Sequence, residues 1–103
     1  MSVLVDFAIF PTDKKTSVSP YVARVVKIIR ESGLSHKLGS MGTTVEGEWE
    51  EVMDLVSRCF EELRKDSGRI YLVLRADYRE GATGRLEGKV RSVEEKLGTL
   101  PPF

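Results

Sequence analysis

Between residues 43 and 47 the chain reads Thr43-Thr44-Val45-Glu46-Gly47, two hydroxyls and a carboxylate within four positions. Thr44 and Glu46 are two apart, so on a strand they share a face. A carboxylate beside a hydroxyl can recognise an amine or an aminopyrimidine edge by hydrogen bonding. Strand-end exposure and simple β-propensity explain the same pair without any ligand, and on spacing alone that explanation is the commoner one. Ser19-Pro20-Tyr21 is a second candidate. It reads as a helix start whose free N–H groups can receive a polar ligand and whose tyrosine can stack on a flat ring. A plain N-cap beside a half-buried tyrosine is the plainer reading. Arg75 and Asp77 share a strand face, and Asp6 lies on a strand expected beside theirs. These three suit either a ligand site or an ion pair that sets register at an interface.

The remaining reactive types carry less. His36 is the only histidine and has no cysteine or second histidine near it, so it supports neither a metal nor acid–base chemistry. Cys59 is the single cysteine, so no intrachain disulfide and no multi-cysteine metal site forms within one chain. It falls in an apolar helical pattern as a packing residue. The Gly81-Ala82-Thr83-Gly84 loop is glycine-rich but lacks the phosphate-binding pattern GxxxxGK[ST]. No Ser/His/Asp or Cys/His spacing appears, and the acids fall mostly on helix surfaces, so no catalytic residue, metal site or cofactor is expected.

Certain elements must position these groups. Residues 3–10, VLVDFAIF, form an apolar, β-rich run ending at Pro11, with both faces apolar. Ser19 and Pro20 start a helix, with Ser19 as N-cap and Val22, Val25, Val26 and Ile29 as its stripe. Gly33 ends it. Residues 34–47 read as two short strands in a hairpin broken by Gly39 and Gly42. A second helix opens at Glu48, with Trp49, Val52, Met53, Val56, Phe60 and Leu63 in helical spacing, and Gly68 closes it. Residues 69–78 form the last strand: Ile70, Leu72, Leu74 and Ala76 on one face, Tyr71, Val73, Arg75 and Asp77 on the other. A loop at 79–84 leads to a weaker helix from 85 to 97, and an irregular tail, TLPPF, follows.

The order β-α-β-β-α-β plus one helix specifies an α+β, ferredoxin-like sandwich. It is one domain over 1–103, with a four-stranded antiparallel sheet, two helices on one face and a C-terminal helix. One helical layer covers one face, and strands one and four are apolar on both. A second copy is the simplest cover for the rest, so a homo-oligomer is expected. The 103 residues carry sixteen basic and sixteen acidic side chains, a balance that disfavours general nucleic-acid binding. The N-terminus lacks a signal-peptide pattern and no apolar run is long enough to span a bilayer, which points to a cytoplasmic protein without a membrane partner.

The segments Phe10-Pro11, Ser17-Val18-Ser19-Pro20-Tyr21-Val22 and Met41-Gly42-Thr43-Thr44-Val45-Glu46-Gly47-Glu48-Trp49 carry a family likeness. Across residues 3–97 the chain resembles the thiamine-binding-like family, related to the YkoF thiamine/hydroxymethylpyrimidine-binding proteins. The resemblance implies a ferredoxin-like fold, a dimer or tetramer, and a binder of thiamine or its pyrimidine moiety without an established enzymatic activity. By position it carries Ser19, Tyr21, Thr43, Thr44 and Glu46 over as ligand contacts, and strand geometry adds Arg75. Glu46 would accept from the exocyclic amine and Tyr21 would cover a ring face. An oligomeric scaffold or regulatory protein, or a small isomerase or lyase on this fold, are the competing readings.

Overall fold

A computed structural model describes residues 2–81 and 83–98. The tail expectation for 99–103 falls outside them. The elements are β1 (Val3–Pro11), α1 (Ser19–Glu31), β2 (Ser35–Leu38), β3 (Thr43–Gly47), α2 (Trp49–Arg64), β4 (Ile70–Tyr78) and α3 (Arg85–Leu97). They form one antiparallel sheet in the order β2-β3-β1-β4, which is the ferredoxin-like arrangement expected from the element order.

The two sheet faces differ sharply. β1 alternates buried and half-buried residues along its length. Its odd-numbered residues Val3, Val5, Phe7 and Ile9 join Val45, Val25, Ile29, Val52, Leu55, Val56, Cys59 and Leu63 in one apolar core. α1 and α2 pack on this face because each carries an apolar stripe one side wide. The buried stripe of α2 runs Val52, Leu55, Val56, Cys59 and Leu63, while Trp49 and Phe60 stand exposed. Trp49 and Phe60 thus flank the seam rather than forming it, and Leu55 and Cys59 take the places expected of them. Burial pushes the Cys59 thiol up to about 11, against a small opposing effect of Arg58.

Two helix boundaries differ from the sequence expectation. Val18 is the N-cap of α1 and makes no side-chain cap bond, and Ser19 is already helical. Ser17 takes the capping contact instead, its Oγ accepting from the Ser19 N–H at 3.2 Å. The C-cap of α2 is Lys65, and Gly68 lies beyond it, donating its N–H to Asp13 Oδ2 at 2.7 Å. Gly33 follows the C-cap Ser32 of α1 with φ +77°, the left-handed position that glycine adopts without strain.

The opposite face carries Leu4, Asp6, Ala8 and Phe10 of β1, Thr44 and Glu46 of β3, Ser35 and Lys37 of β2, and Tyr71, Val73, Arg75 and Asp77 of β4, as the register requires. α3 packs mainly on the β2–β3 side and reaches β4 only near its end, where Asp77 pairs with Arg85 and Lys89. Tyr71 and Val73 therefore stay 55% and 44% exposed, and Tyr71 meets Phe10 with ring centroids 5.7 Å apart.

Candidate functional site

β1 and β3 are unequal in length, and this opens a cleft beside β1. β3 pairs with β1 only from Val3 to Phe7. Beyond Phe7 the β2–β3 turn swings away, leaving a cleft of about 270 Å³ between β1, α1 and the turn. Its walls are Phe7 to Phe10, Val22, Val25 and Val26, and Leu38 to Thr43. A second groove, lined by Ser19, Ala23 and Lys27, shares Val22, Val26 and Leu38 with it. The turn is tight, with the Gly39 N–H donating to the Gly42 C=O at 2.8 Å. A Cβ at Gly42 would stand 2.9 Å from the Phe7 carbonyl oxygen, so only glycine lets the turn approach β1 this closely. Met41, at its tip, is 91% exposed.

The six candidate contacts do not gather in one place. Thr43, opposite Phe7 and buried, lines the cleft, and Ser19 borders the adjoining groove. Tyr21 packs against the core with two cations near its ring, Lys14 at 5.3 Å and Arg24 at 5.5 Å from the centroid. Arg24 in turn reaches Asp66 Oδ2 at 2.9 Å and Glu62 Oε1 at 3.3 Å, tying α1 to the end of α2. Thr44 and Arg75 lie on the opposite sheet face. There the Thr44 hydroxyl donates to Asp6 Oδ1 at 3.3 Å and Arg75 pairs with Asp6 Oδ2 at 2.8 Å. The cluster expected of Asp6, Arg75 and Asp77 is divided, because Asp77 pairs instead with Arg85 and Lys89 of α3.

Glu46 is 8% exposed and fully engaged. Its Oε2 accepts from the Ser2 hydroxyl and the Arg85 N–H, each at 2.9 Å, and its Oε1 accepts from the Leu86 N–H at 3.2 Å. A strand carboxylate thus caps the first turn of α3, satisfying N–H groups that a helix start leaves open. Burial pushes this carboxyl up. The Arg85 N–H, the Ser2 hydroxyl, the Leu86 N–H and the Arg85 charge outweigh burial and hold it below its ordinary value. Both carboxylate oxygens that the resemblance offers to a ligand amine already accept from α3, and that contact links residues 39 and 40 positions apart.

Sequence reasoning missed the cleft walls Val22, Val26 and Leu38 to Gly42. The signal was present: a long apolar run at 3–10 and a much shorter hairpin strand, with Gly39 and Gly42 breaking the hairpin between them. Among the described residues no group of three or more His, Cys, Asp or Glu is placed to hold a metal ion, and no helix is long and apolar enough to cross a membrane.

The fold and cleft define a small α+β domain with an apolar pocket beside a short polar wall, the anatomy of a small-molecule binder. Comparison with known proteins narrows this class. The profile of the Thiamine-binding protein family matches residues 5–94, and the chain belongs to that family. A UPF0045 protein of Mycobacterium bovis is 36% identical over 98 residues, covering 94% of this chain and 96% of its own. Among solved structures, a Methanocaldococcus jannaschii protein superposes with a TM-score of 0.84 at 26% identity, covering 91% of this chain and 97% of its own. A Thermotoga maritima protein, provisionally assigned to thiamine biosynthesis or salvage, gives 0.81 at 30% identity, covering 90% and 99%.

Proposed function

We propose that this protein binds thiamine or its hydroxymethylpyrimidine moiety in the cleft between β1, α1 and the β2–β3 turn, as a binding protein and not a catalyst. The observation that supports this most strongly is the cleft itself: apolar walls, room for a single ring, and Thr43 at the inner side, in a chain of the Thiamine-binding protein family. Val22, Val26 and Leu38 would cover the ring, Thr43 would meet a ring substituent, and Ser19 would lie toward the adjoining groove. Glu46 would act one step away, holding α3 on the sheet, while Thr44 and Arg75 would serve the opposite face.

That face supports the second part of the reading, a homo-oligomer. Phe10, Tyr71 and Val73 form an apolar area beside the Asp6–Arg75 pair, and exposed apolar sheet surface favours burial against another copy. Differential melting tests the ligand. A ligand held only by the native state, present at a hundred times its Kd, adds about 2.7 kcal/mol of stability. Thiamine or hydroxymethylpyrimidine should therefore raise the melting temperature. Unchanged melting with thiamine, its phosphates and hydroxymethylpyrimidine would remove the reading.

A further inference from the structure

We infer that the cleft reads its ligand through the bare edge of β1 at Ile9, whose main-chain N–H and C=O take a flat ring carrying an acceptor beside a donor. The inference rests on the ligand reading above and specifies how that ligand is recognised.

β1 pairs with β4 along all nine residues, without interruption, from Val3↔Tyr78 to Pro11↔Ile70. On its other edge β3 stops at Phe7. Successive residues of an antiparallel strand direct their N–H and C=O groups to opposite edges. The Thr12 N–H donates to the Arg69 C=O at 2.9 Å, so the even-numbered residues of β1 point toward β4. The odd-numbered ones point the other way. Phe7 agrees, since its carbonyl oxygen approaches Gly42 in the turn. Ile9 is the next odd residue. Continuing the register would put Met41 opposite it, but Met41 is at the tip of the turn and exposed. Pro11, the last odd residue, has no N–H to offer.

The cleft lining supports the same geometry. Ala8 and Phe10 line it, although the register puts their side chains on the far face with Leu4 and Asp6. They reach the cleft through the main chain, so the cleft runs along the strand's open edge. Here an N–H and a C=O of one residue face the same way from an otherwise apolar wall. A ring nitrogen can accept from the N–H while an exocyclic amine donates to the C=O, and this is the edge of an aminopyrimidine. Such a pair discriminates well, because a ligand lacking either group leaves a main-chain group unmet. The Ile9 side chain stays in the core, so recognition of this kind leaves no trace in residue type.

The test uses the full chain, labelled with ¹⁵N, and hydroxymethylpyrimidine as probe. The Ile9 amide signal should move downfield and its hydrogen exchange should slow when the probe binds. An analogue with methyl in place of the amine should bind roughly tenfold to a hundredfold more weakly. If the probe binds while the Ile9 amide is unmoved, or if the methyl analogue binds equally well, the edge is not the reader and the ligand reading stands alone. If neither the probe nor thiamine binds, both fall.

Discussion

Phe7 and Phe10 are three residues apart on one strand, yet they belong to different worlds. Phe7 sits in the core beneath two helices. Phe10 lies on the opposite face against Tyr71, with no helix above it. The helix-covered face is closed over β1 and β3 and open along β4, where Leu72 and Tyr78 stay exposed, and its order comes from interdigitated apolar side chains. The other face is held by polar devices instead: the Asp6–Arg75 pair, the Asp77 contacts to Arg85 and Lys89, and the Glu46 cap on α3. The first face stabilises the chain alone. The second positions α3 and leaves Tyr71 and Val73 exposed.

Substitutions on the two faces should separate these roles. Phe7→Ala should cost about 3–5 kcal/mol in equilibrium unfolding, since it removes a buried ring from a closed core. A cost under about 1 kcal/mol would mean that this face is not the stabilising one. Glu46→Ala comes next, at about 1–2 kcal/mol, because it strands the Arg85 and Leu86 N–H groups of a helix start. Its signature should be local, with faster amide exchange at Leu86 and little change in β1.

Acid should act on the same contact. Glu46 and Asp77 both lie below their ordinary carboxyl values in the folded chain. Burial opposes this for Glu46, whose N–H and hydroxyl donors prevail; for Asp77 the Lys89 hydrogen bond leads and the Arg85 charge adds to it. Such groups bind protons more readily when unfolded, so their stabilisation is present at neutral pH and disappears as pH falls through the folded values. Exchange protection at Leu86, taken relative to the unstructured rate at each pH, should therefore fall in acid before protection at Val5 does, and uniform loss at both would count against a local clasp.

Phe10→Ala should show the smallest effect on an isolated chain, under about 1 kcal/mol at low concentration. The same change should flatten the dependence of melting temperature on protein concentration if copies meet through this face. An unchanged dependence would separate the open face from assembly.

Much of this was legible in residue types. Alternating valines and phenylalanine in β1, the valine stripe of α1 and the β-α-β-β-α-β order specify the sheet and its helical cover, because periodicity reports burial directly. The bare face was legible too, from Tyr71 and Val73 alternating with Leu72 and Leu74. The candidate site was legible only in part. Thr43 and Thr44 are adjacent, and strand alternation sends one into the cleft and the other to the far face. Glu46 looked like a ligand group because nothing local shows that α3, forty residues later, brings its N–H groups to the carboxylate. The cleft arises from unequal strand lengths, and the reader we infer for it is a main-chain edge. Neither is written as a residue type.

The most direct test compares melting of the native chain and Val26→Phe, a substitution that fills the cleft wall, with and without hydroxymethylpyrimidine; the ligand-free curve checks that the variant folds. The native chain should gain several degrees at saturating ligand, as about 1 kcal/mol shifts a domain of this size by 4–8 °C, and the folded variant should gain almost none. An equal gain in both would put the ligand outside the cleft and contradict the account.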